Sequence, residues 1–371
     1  MKKVTILMSA LTMALVGCGG GDNIADNPLV QEWNTPYQTP PFSKIEPKHY
    51  EPAIDYAIEQ NRKEIDAIVN NPEAPTFENT IVAMERAGEL LGRVTGVFYV
   101  LNNCDTNAEM EQIANNITPK LTELSNDVAL NPELFKRVKA VYDQRAELQL
   151  DEQDMQLLEE TYKGFARSGA LLEGKDQELY RQYTSELAQL TLKFGQNALA
   201  ATNAFTLNIT DEAKVAELPD FVKEGLAAEA KARGEQGWTV TLQAPSYSPF
   251  MTYSSQRDLK EQLYRAYNTR GIGGDTDNLE NIRRIAELRL KIAQLLGYEC
   301  YADYVLEDRM AENKATVTGF LNELCVATLN YAHKDVKTVT EFAHSLGFEG
   351  ELMPWDWSYY NEKYKEAKYS I

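Results

Sequence analysis

The chain has 371 residues, with 37 Lys and Arg against 56 Asp and Glu, which gives a net charge of −19 at pH 7. Its 43% apolar and 25% charged residues are typical of a folded globular protein rather than a disordered or membrane-embedded one. The acidic balance argues against nucleic-acid binding, which requires clustered Lys and Arg to neutralise phosphates. The sequence contains only three His, so imidazole chemistry has few places to occur.

The N-terminus resembles an export signal. Lys2 and Lys3 precede the mostly apolar run Val4 to Val16, which is too short to span a bilayer but has the length of a signal-peptide core. Leu-Val-Gly-Cys at residues 15–18 resembles the lipobox of bacterial lipoproteins. We therefore expect residues 1–17 to be a lipoprotein signal peptide and Cys18 to carry a lipid anchor. The expected location is the bacterial cell envelope, on the periplasmic side of a membrane.

Residues 18–43 are predicted to be a tether between that anchor and the body of the protein. Three consecutive glycines follow Cys18, and prolines recur at positions 28, 36, 40 and 41. Such a composition disfavours regular secondary structure and is typical of linkers.

After Pro47 the apolar residues recur mainly at helical spacing, which predicts a helical body. A first helix ends at Asn70, a second follows Thr76, and Asn278 to Leu296 is the clearest one, closed by Gly297. Further helices are predicted near residues 107–128, 132–147, 151–168 and 174–200, with a pair of helical runs within 314–346.

One region departs from this helical pattern. Phe205 to Ile209 and Trp238 to Leu242 alternate in the manner of β-strands, with a helix from Asp220 to Ala232 between them. We predict a small two-stranded element near residues 205–242, followed by a turn-rich link at Pro245 to Pro249. The fold class is therefore mainly α, with one small α/β insertion.

No metal ligand follows from the spacing of the histidines. A catalytic zinc site needs about three protein ligands and an open position for water, and the helical motif His-Glu-x-x-His does not occur in the sequence. His333 and His344 would share one face of an unbroken helix, but the sequence does not indicate that His49 lies near them. The alternative is that all three are satisfied or solvent-facing.

Other reactions are no better supported by the residues. The sequence has no Gly-x-Ser-x-Gly elbow. Gly271 to Asp275 is glycine-rich, but it follows a helical segment and lacks the Lys-Ser/Thr of a phosphate-binding loop. With 56 acidic residues, any choice of a glycosidase carboxylate pair would be arbitrary. The aromatic run Trp355 to Tyr360 is compatible with a ligand groove or with helix packing, and the second is favoured because aromatic residues dominate core contacts.

Two segments carry a specific resemblance to a known family. They are Leu-Leu-Gly-Tyr at 295–298, continuing through 301–311, and Leu-Met-Pro-Trp-Asp-Trp-Ser-Tyr-Tyr-Asn-Glu-Lys at 352–363. Together with further similar stretches between residues 28 and 371, they resemble the zinc metallopeptidases that include thimet oligopeptidase, oligopeptidase A and bacterial peptidyl-dipeptidase. The peptidyl-dipeptidase branch fits best, notably at residues 237–251 and 270–278.

The resemblance implies an ellipsoidal, helical peptidase with a deep channel that admits short peptides. It implies a zinc ion held by His-Glu-x-x-His and a downstream Glu, with the Glu of the motif activating water, and removal of dipeptides from the substrate's C-terminus. Those residues would all lie beyond the part of the family that this chain resembles. No catalytic or metal residue of the family is therefore assigned here.

The resemblance also sets the expected domains. Residues 44–249 would be the helical N-terminal lobe with its α/β insertion, and 250–371 the start of the catalytic domain, ending before the zinc motif. A first hypothesis is a peptidase half that is inactive alone and is completed by a separately encoded C-terminal half. A second is a lipid-anchored module that binds peptides or serves as a scaffold without catalysis. A premature stop or an incomplete gene model is the third alternative.

Overall fold

A computed structural model describes residues 23–370. The predicted signal peptide and Cys18 lie outside the described residues. Helices dominate this range, and they are accompanied by a two-stranded antiparallel sheet. The predicted mainly α class with a small β element is therefore confirmed.

The chain divides into two compact units between Ile117 and Thr118. The helices before this point are α1 (Tyr50–Val69), α2 (Ala83–Arg86) and α3 (Glu89–Cys104), and the division falls within α4 (Ala108–Ala129). The elements that follow are α5 (Pro132–Asp143), α6 (Glu152–Arg167), α7 (Gly174–Ala204), β1 (Thr206–Ile209), α8 (Asp220–Ala232), β2 (Trp238–Thr241), α9 (Ala244–Tyr253), α10 (Arg257–Asn268), α11 (Leu279–Leu295), α12 (Tyr301–Leu306), α13 (Lys314–Ser345) and α14 (Pro354–Tyr369).

The first unit is built on the packing of α1 against α3. Tyr50 and Phe98 are buried there, with their ring centroids 5.2 Å apart in an edge-to-face arrangement. After α1, Thr76 begins the next helical segment by accepting a hydrogen bond from the Asn79 N–H while Asn79 accepts one from the Thr76 N–H. The helix start predicted at Thr76 is thus explained by a local capping box.

Part of the predicted tether packs into the first unit. Leu29 is fully buried, and the Asn27 side chain donates to the His49 carbonyl oxygen at 2.8 Å. The Arg93 guanidinium of α3 donates to the Val30 carbonyl oxygen at 3.0 Å. Residues 27–30 are therefore held against the helices, which their proline-rich surroundings did not indicate.

The predicted β element is confirmed, with Thr206 opposite Thr241 and Ile209 opposite Trp238. Helix α8 packs on β2, and Ile209, Leu226 and Val240 lie in the same buried cluster. Gly237 precedes β2 with φ +84°, and a Cβ atom there would lie 2.2 Å from the Ile209 carbonyl oxygen. Only glycine fits this approach of the two backbones.

The same cluster continues into α9, α10 and α14 through Phe250, Leu263 and Trp355. Residues on both sides of position 250 therefore share one core, and the predicted division between residues 249 and 250 falls inside α9. The segment from Pro245 to Pro249 is helical rather than a turn-rich link, because Pro245 occupies the first turn, where a helix needs no N–H donor.

Two long helices, α7 and α11, pack extensively against each other in the second unit. The Arg284 guanidinium binds Glu186 through two hydrogen bonds of 2.6 Å, and the Asn278 side chain donates to the Phe194 carbonyl oxygen at 3.0 Å.

The helix predicted at 278–296 is confirmed as α11. The pair of runs predicted within 314–346 is instead a single helix, α13.

We predict that Gly237→Ala destabilises the protein by about 3 kcal/mol, because the added methyl group collides with backbone and the positive φ is strained. The matched control is Gly234→Ala, where φ is +73° but no heavy atom lies within 4 Å of the added Cβ. That change carries only the left-handed backbone cost of about 1 kcal/mol. Urea unfolding of both variants measures the difference, and equal losses would contradict the steric explanation.

Candidate functional site

The three histidines occupy separate local settings. His49 Nδ1 accepts a hydrogen bond from the Glu46 N–H at 2.9 Å. His344 Nε2 donates to the Gly350 carbonyl oxygen at 2.9 Å, and His333 is exposed on α13. Two of the three thus have local structural partners.

The described residues do not fit a zinc ion. Zinc in a protein takes three or four His, Cys or carboxylate ligands at close range, and residues 23–370 contain no group of three or more such side chains arranged to hold a metal. No chemical step is therefore derived through zinc from this chain's own residues.

The aromatic run of α14 begins in the core. Trp355 is 5% exposed and packs in the cluster that contains Phe250 and Leu263. Its ring lies 5.8 Å from that of Tyr264 of α10. The packing interpretation therefore holds for Trp355. Its indole N–H, however, is buried and donates to no acceptor among residues 23–370.

Asp356 connects α14 to α10. Its side chain is 1% exposed, and its carboxylate accepts two hydrogen bonds of 2.9 Å, from Arg257 Nε and Nη2. The same carboxylate accepts the Met353 N–H at 3.0 Å and so caps the N-terminus of α14. The hydrogen bond to Asp356 also raises the pKa of Arg257. One buried anion therefore starts one helix and ties it to another.

Lys260 lies beside this pair, one turn further along α10. It is only 2% exposed, and its Nζ lies 4.4 Å from the centroid of the Tyr359 ring. Burial lowers the pKa of Lys260 to about 8, although attraction from Asp356 and Glu217 acts in the opposite direction. The cluster of Arg257, Lys260, Asp356 and Tyr359, which we call the α10–α14 cluster, is cationic and lined by aromatic rings.

The other family-like segment, residues 295–311, contacts α6 through Arg167. This guanidinium donates to the Tyr304 carbonyl oxygen at 2.6 Å and to the Tyr298 hydroxyl at 3.2 Å, and it forms an ion pair with Glu307. It also lies 4.6 Å from the centroid of the Tyr304 ring. Both family-like segments therefore meet an arginine of another helix.

Sequence reasoning did not single out Arg257, Lys260 or Arg167. A signal was available for Lys260, since it lies between Leu259 and Leu263, which carry the buried face of α10. The partners of the arginines lie 99 and 137 residues away along the chain. Only the fold brings them together.

Comparison with known proteins gives a consistent result. Residues 250–371 match Peptidase family M3. Dipeptidyl carboxypeptidase of Escherichia coli is 33% identical over 350 residues, which cover 93% of this chain and 51% of that protein. Oligopeptidase A of the same organism is 33% identical with the same coverage, and oligopeptidase A of Haemophilus influenzae is 30% identical over 337 residues, 90% of this chain and 49% of that protein.

Both comparisons include the two family-like segments, since the matched relatives align over about 93% of the chain and the family model covers residues 250–371. The resemblance to the oligopeptidase A and peptidyl-dipeptidase group of family M3 is confirmed by these matches. The chain spans about half the length of the curated relatives that it matches.

The predicted location in a bacterial envelope is wrong, because the comparisons contradict it. The matched relatives are dipeptidyl carboxypeptidases and oligopeptidases A, and one from Arabidopsis thaliana is named "Probable cytosolic oligopeptidase A". Among residues 23–370, no helix is both long and apolar enough to cross a membrane. The prediction depended on a short local pattern around Cys18, outside the described residues, and nothing in the comparisons supports a lipid anchor.

We predict that Asp356→Asn lowers the free energy of unfolding by about 2 kcal/mol, because Arg257 loses its anionic partner while remaining partly solvated. The matched control is Glu280→Gln, which removes the carboxylate of an exposed pair with Arg283. It should cost less than about 0.5 kcal/mol. Denaturant unfolding followed by tryptophan fluorescence compares the two, and similar losses would show that burial of Asp356 does not matter.

Lys260→Met should stabilise the protein at pH 7 by about 2 kcal/mol, since it removes a buried charge and retains most of the apolar contact. A lysine pKa of about 8 in the folded state lies below the unfolded value of about 10.4, so the folded protein binds fewer protons between these values. Wild-type stability should therefore rise relative to the variant across this window, and the advantage of the variant should shrink. Urea unfolding from pH 7 to 10 measures this change.

The control for Lys260→Met is Lys231→Met, at an exposed position on α8. The stability difference between this variant and the wild type should stay constant with pH. A constant difference for Lys260→Met as well would contradict the assignment of a buried, weakly basic lysine.

Proposed function

We propose that this chain forms the helical scaffold of a zinc peptidase that removes dipeptides from the C-termini of short peptides. The observation that carries the proposal is the 33% identity to dipeptidyl carboxypeptidase over 93% of the chain. Oligopeptidase A matches over the same share, so the identity does not distinguish the two specificities. The proposal takes the peptidyl-dipeptidase specificity because residues 237–251 and 270–278 resemble that branch best.

We further propose that the chain by itself does not cleave peptides. Its sequence lacks His-Glu-x-x-His and contains only three His in total, and it spans about half of each matched relative. In this proposal the catalytic residues come from sequence that corresponds to the other half of the relatives, on the same or a separate polypeptide. The α10–α14 cluster and the Arg167 contacts would then maintain the scaffold rather than take part in chemistry.

The alternative function is a peptide-binding or scaffold module without catalysis. It shares the scaffold with the first proposal but predicts peptide binding by the chain alone. The aromatic residues of α14 that remain partly exposed, such as Trp357 and Tyr360, would be the groups available for such binding.

We predict that the purified chain releases no dipeptide from an N-terminally blocked tetrapeptide, with or without added zinc, because the residues that would hold zinc are not among its own. Addition of the part of E. coli dipeptidyl carboxypeptidase that lies outside the alignment should produce release that a chelator abolishes. Mass spectrometry of the products measures both results. Chelator-sensitive turnover by the chain alone would contradict the proposal.

A matched pair of substrates tests the specificity in the same assay. A tetrapeptide with a free C-terminal carboxylate should be cleaved by the reconstituted enzyme, whereas its C-terminal amide should not. Equal cleavage of both would favour the internal cleavage expected of an oligopeptidase. Calorimetry with the blocked tetrapeptide and the chain alone tests the binding module, which requires specific binding without turnover.

A further inference from the structure

Helix α13 has an apolar surface that the described residues leave uncovered. Every residue from Thr318 to Lys337 is exposed, over a helix length of about 30 Å at 1.5 Å per residue. Several large apolar side chains are among them, with exposed fractions of 60% for Phe320, 56% for Leu321 and 76% for Val326. Leu324, Leu329, Tyr331 and Val336 are exposed as well.

The composition of this helix is that of a core helix rather than a surface helix. Between Ala315 and Ala332 the one charged residue is Glu323. Val317, Leu321, Leu324 and Tyr331 follow helical spacing along one face, and Leu329 and Val336 continue the apolar surface around the helix. A helix that is apolar around most of its circumference is normally enclosed by other elements.

Both ends of α13 are nevertheless held in place. At the N-terminal end Lys314 pairs with Glu299 at 2.8 Å and with Asp303 at 3.0 Å. At the C-terminal end Val339 and Ala343 are buried, and the Phe342 ring lies 5.5 Å from that of Tyr364 of α14. The apolar middle is therefore presented on a helix whose ends are fixed by packing and ion pairs.

We propose that the surface from Phe320 to Val336 is the docking site for the half of an M3 peptidase that this chain does not span. The proposal rests on the proposed function and names the surface through which the two halves assemble. Helix α13 lies inside the region that matches family M3, and the aligned region covers only 51% of dipeptidyl carboxypeptidase. About as much sequence again is thus available in the relatives to cover this helix.

The polar residues of the surface favour a protein partner over lipid. Asn322, Glu323 and Asn330 interrupt the apolar run, and each would be costly to place in a hydrocarbon layer. A folded partner can supply hydrogen bonds to them while it buries the leucines and Phe320.

The test uses the part of E. coli dipeptidyl carboxypeptidase that lies outside the alignment, which we call the complementary fragment. Biolayer interferometry measures the affinity of this fragment for the chain, without substrate or zinc. The variant Phe320→Gln/Leu324→Gln should weaken binding at least tenfold. The control Phe221→Gln/Leu290→Gln changes the same residue types at similar exposures of 61% and 40% and should change binding less than twofold. The aligned half of the E. coli protein serves as the positive control for association.

Absence of binding under conditions where the two E. coli halves associate would overturn the proposal, and so would equal binding by both double variants. Analytical ultracentrifugation of the chain alone tests a second copy as the occupant. Self-association that only the α13 variant abolishes would assign the surface to a dimer and would also overturn the proposal. Association without peptide cleavage would leave the docking site intact and contradict only the proposed function.

A second measurement covers the case in which separate halves do not assemble. The complementary fragment is fused to the C-terminus of this chain, and hydrogen exchange is compared between the fusion and the chain alone. Residues 318–337 should exchange at least tenfold more slowly in the fusion. Equal exchange over this segment in both proteins would overturn the proposal.

Discussion

The buried carboxylate of Asp356 is the interaction on which the arrangement of the second unit depends most directly. A carboxylate that is 1% exposed is stable only when its acceptor capacity is filled, and here Arg257 and the Met353 N–H fill it. Because the cap fixes where α14 begins, the adjacent Trp355 is directed into the core that β2, α9 and α10 share. Loss of this one anion would therefore affect helix capping, helix pairing and aromatic packing together.

The segments that carry the family resemblance serve structural purposes in this chain. Tyr298, Tyr304 and Glu307 hold Arg167 of α6, and Asp356 holds Arg257 of α10. In each case a planar guanidinium connects a family-like segment to another helix through several hydrogen bonds, which a single ammonium group would not reproduce. Such contacts fix each segment against its neighbouring helix, and this agrees with the scaffold role proposed for the chain.

The exposure of helix α13 and the length of the relatives are two independent observations behind the proposed docking site. The helix has the composition of a buried element but is exposed from Thr318 to Lys337, and the matched relatives contain about twice the sequence. Lys260 shows the opposite case, since this charged side chain is only 2% exposed in the fold. In both cases the exposure of a side chain differs from what its residue type suggests, because exposure depends on the elements that pack around it.

The sequence by itself determined the helical class, the positions of most helices and the β pair, because helical periodicity, strand alternation and the capping box at Thr76 are local properties of the chain. It also carried the resemblance to family M3, through residues 295–311 and 352–363. The prediction of location depended on the short pattern around Cys18, and the comparisons contradict it. Only the tertiary structure decided that Trp355 packs in the core, that residues 27–30 are held by α3, and that Lys260 is buried beside Asp356. These outcomes depend on partners up to about a hundred residues away, and the free energy of burying a side chain is set by those partners rather than by its neighbours in sequence.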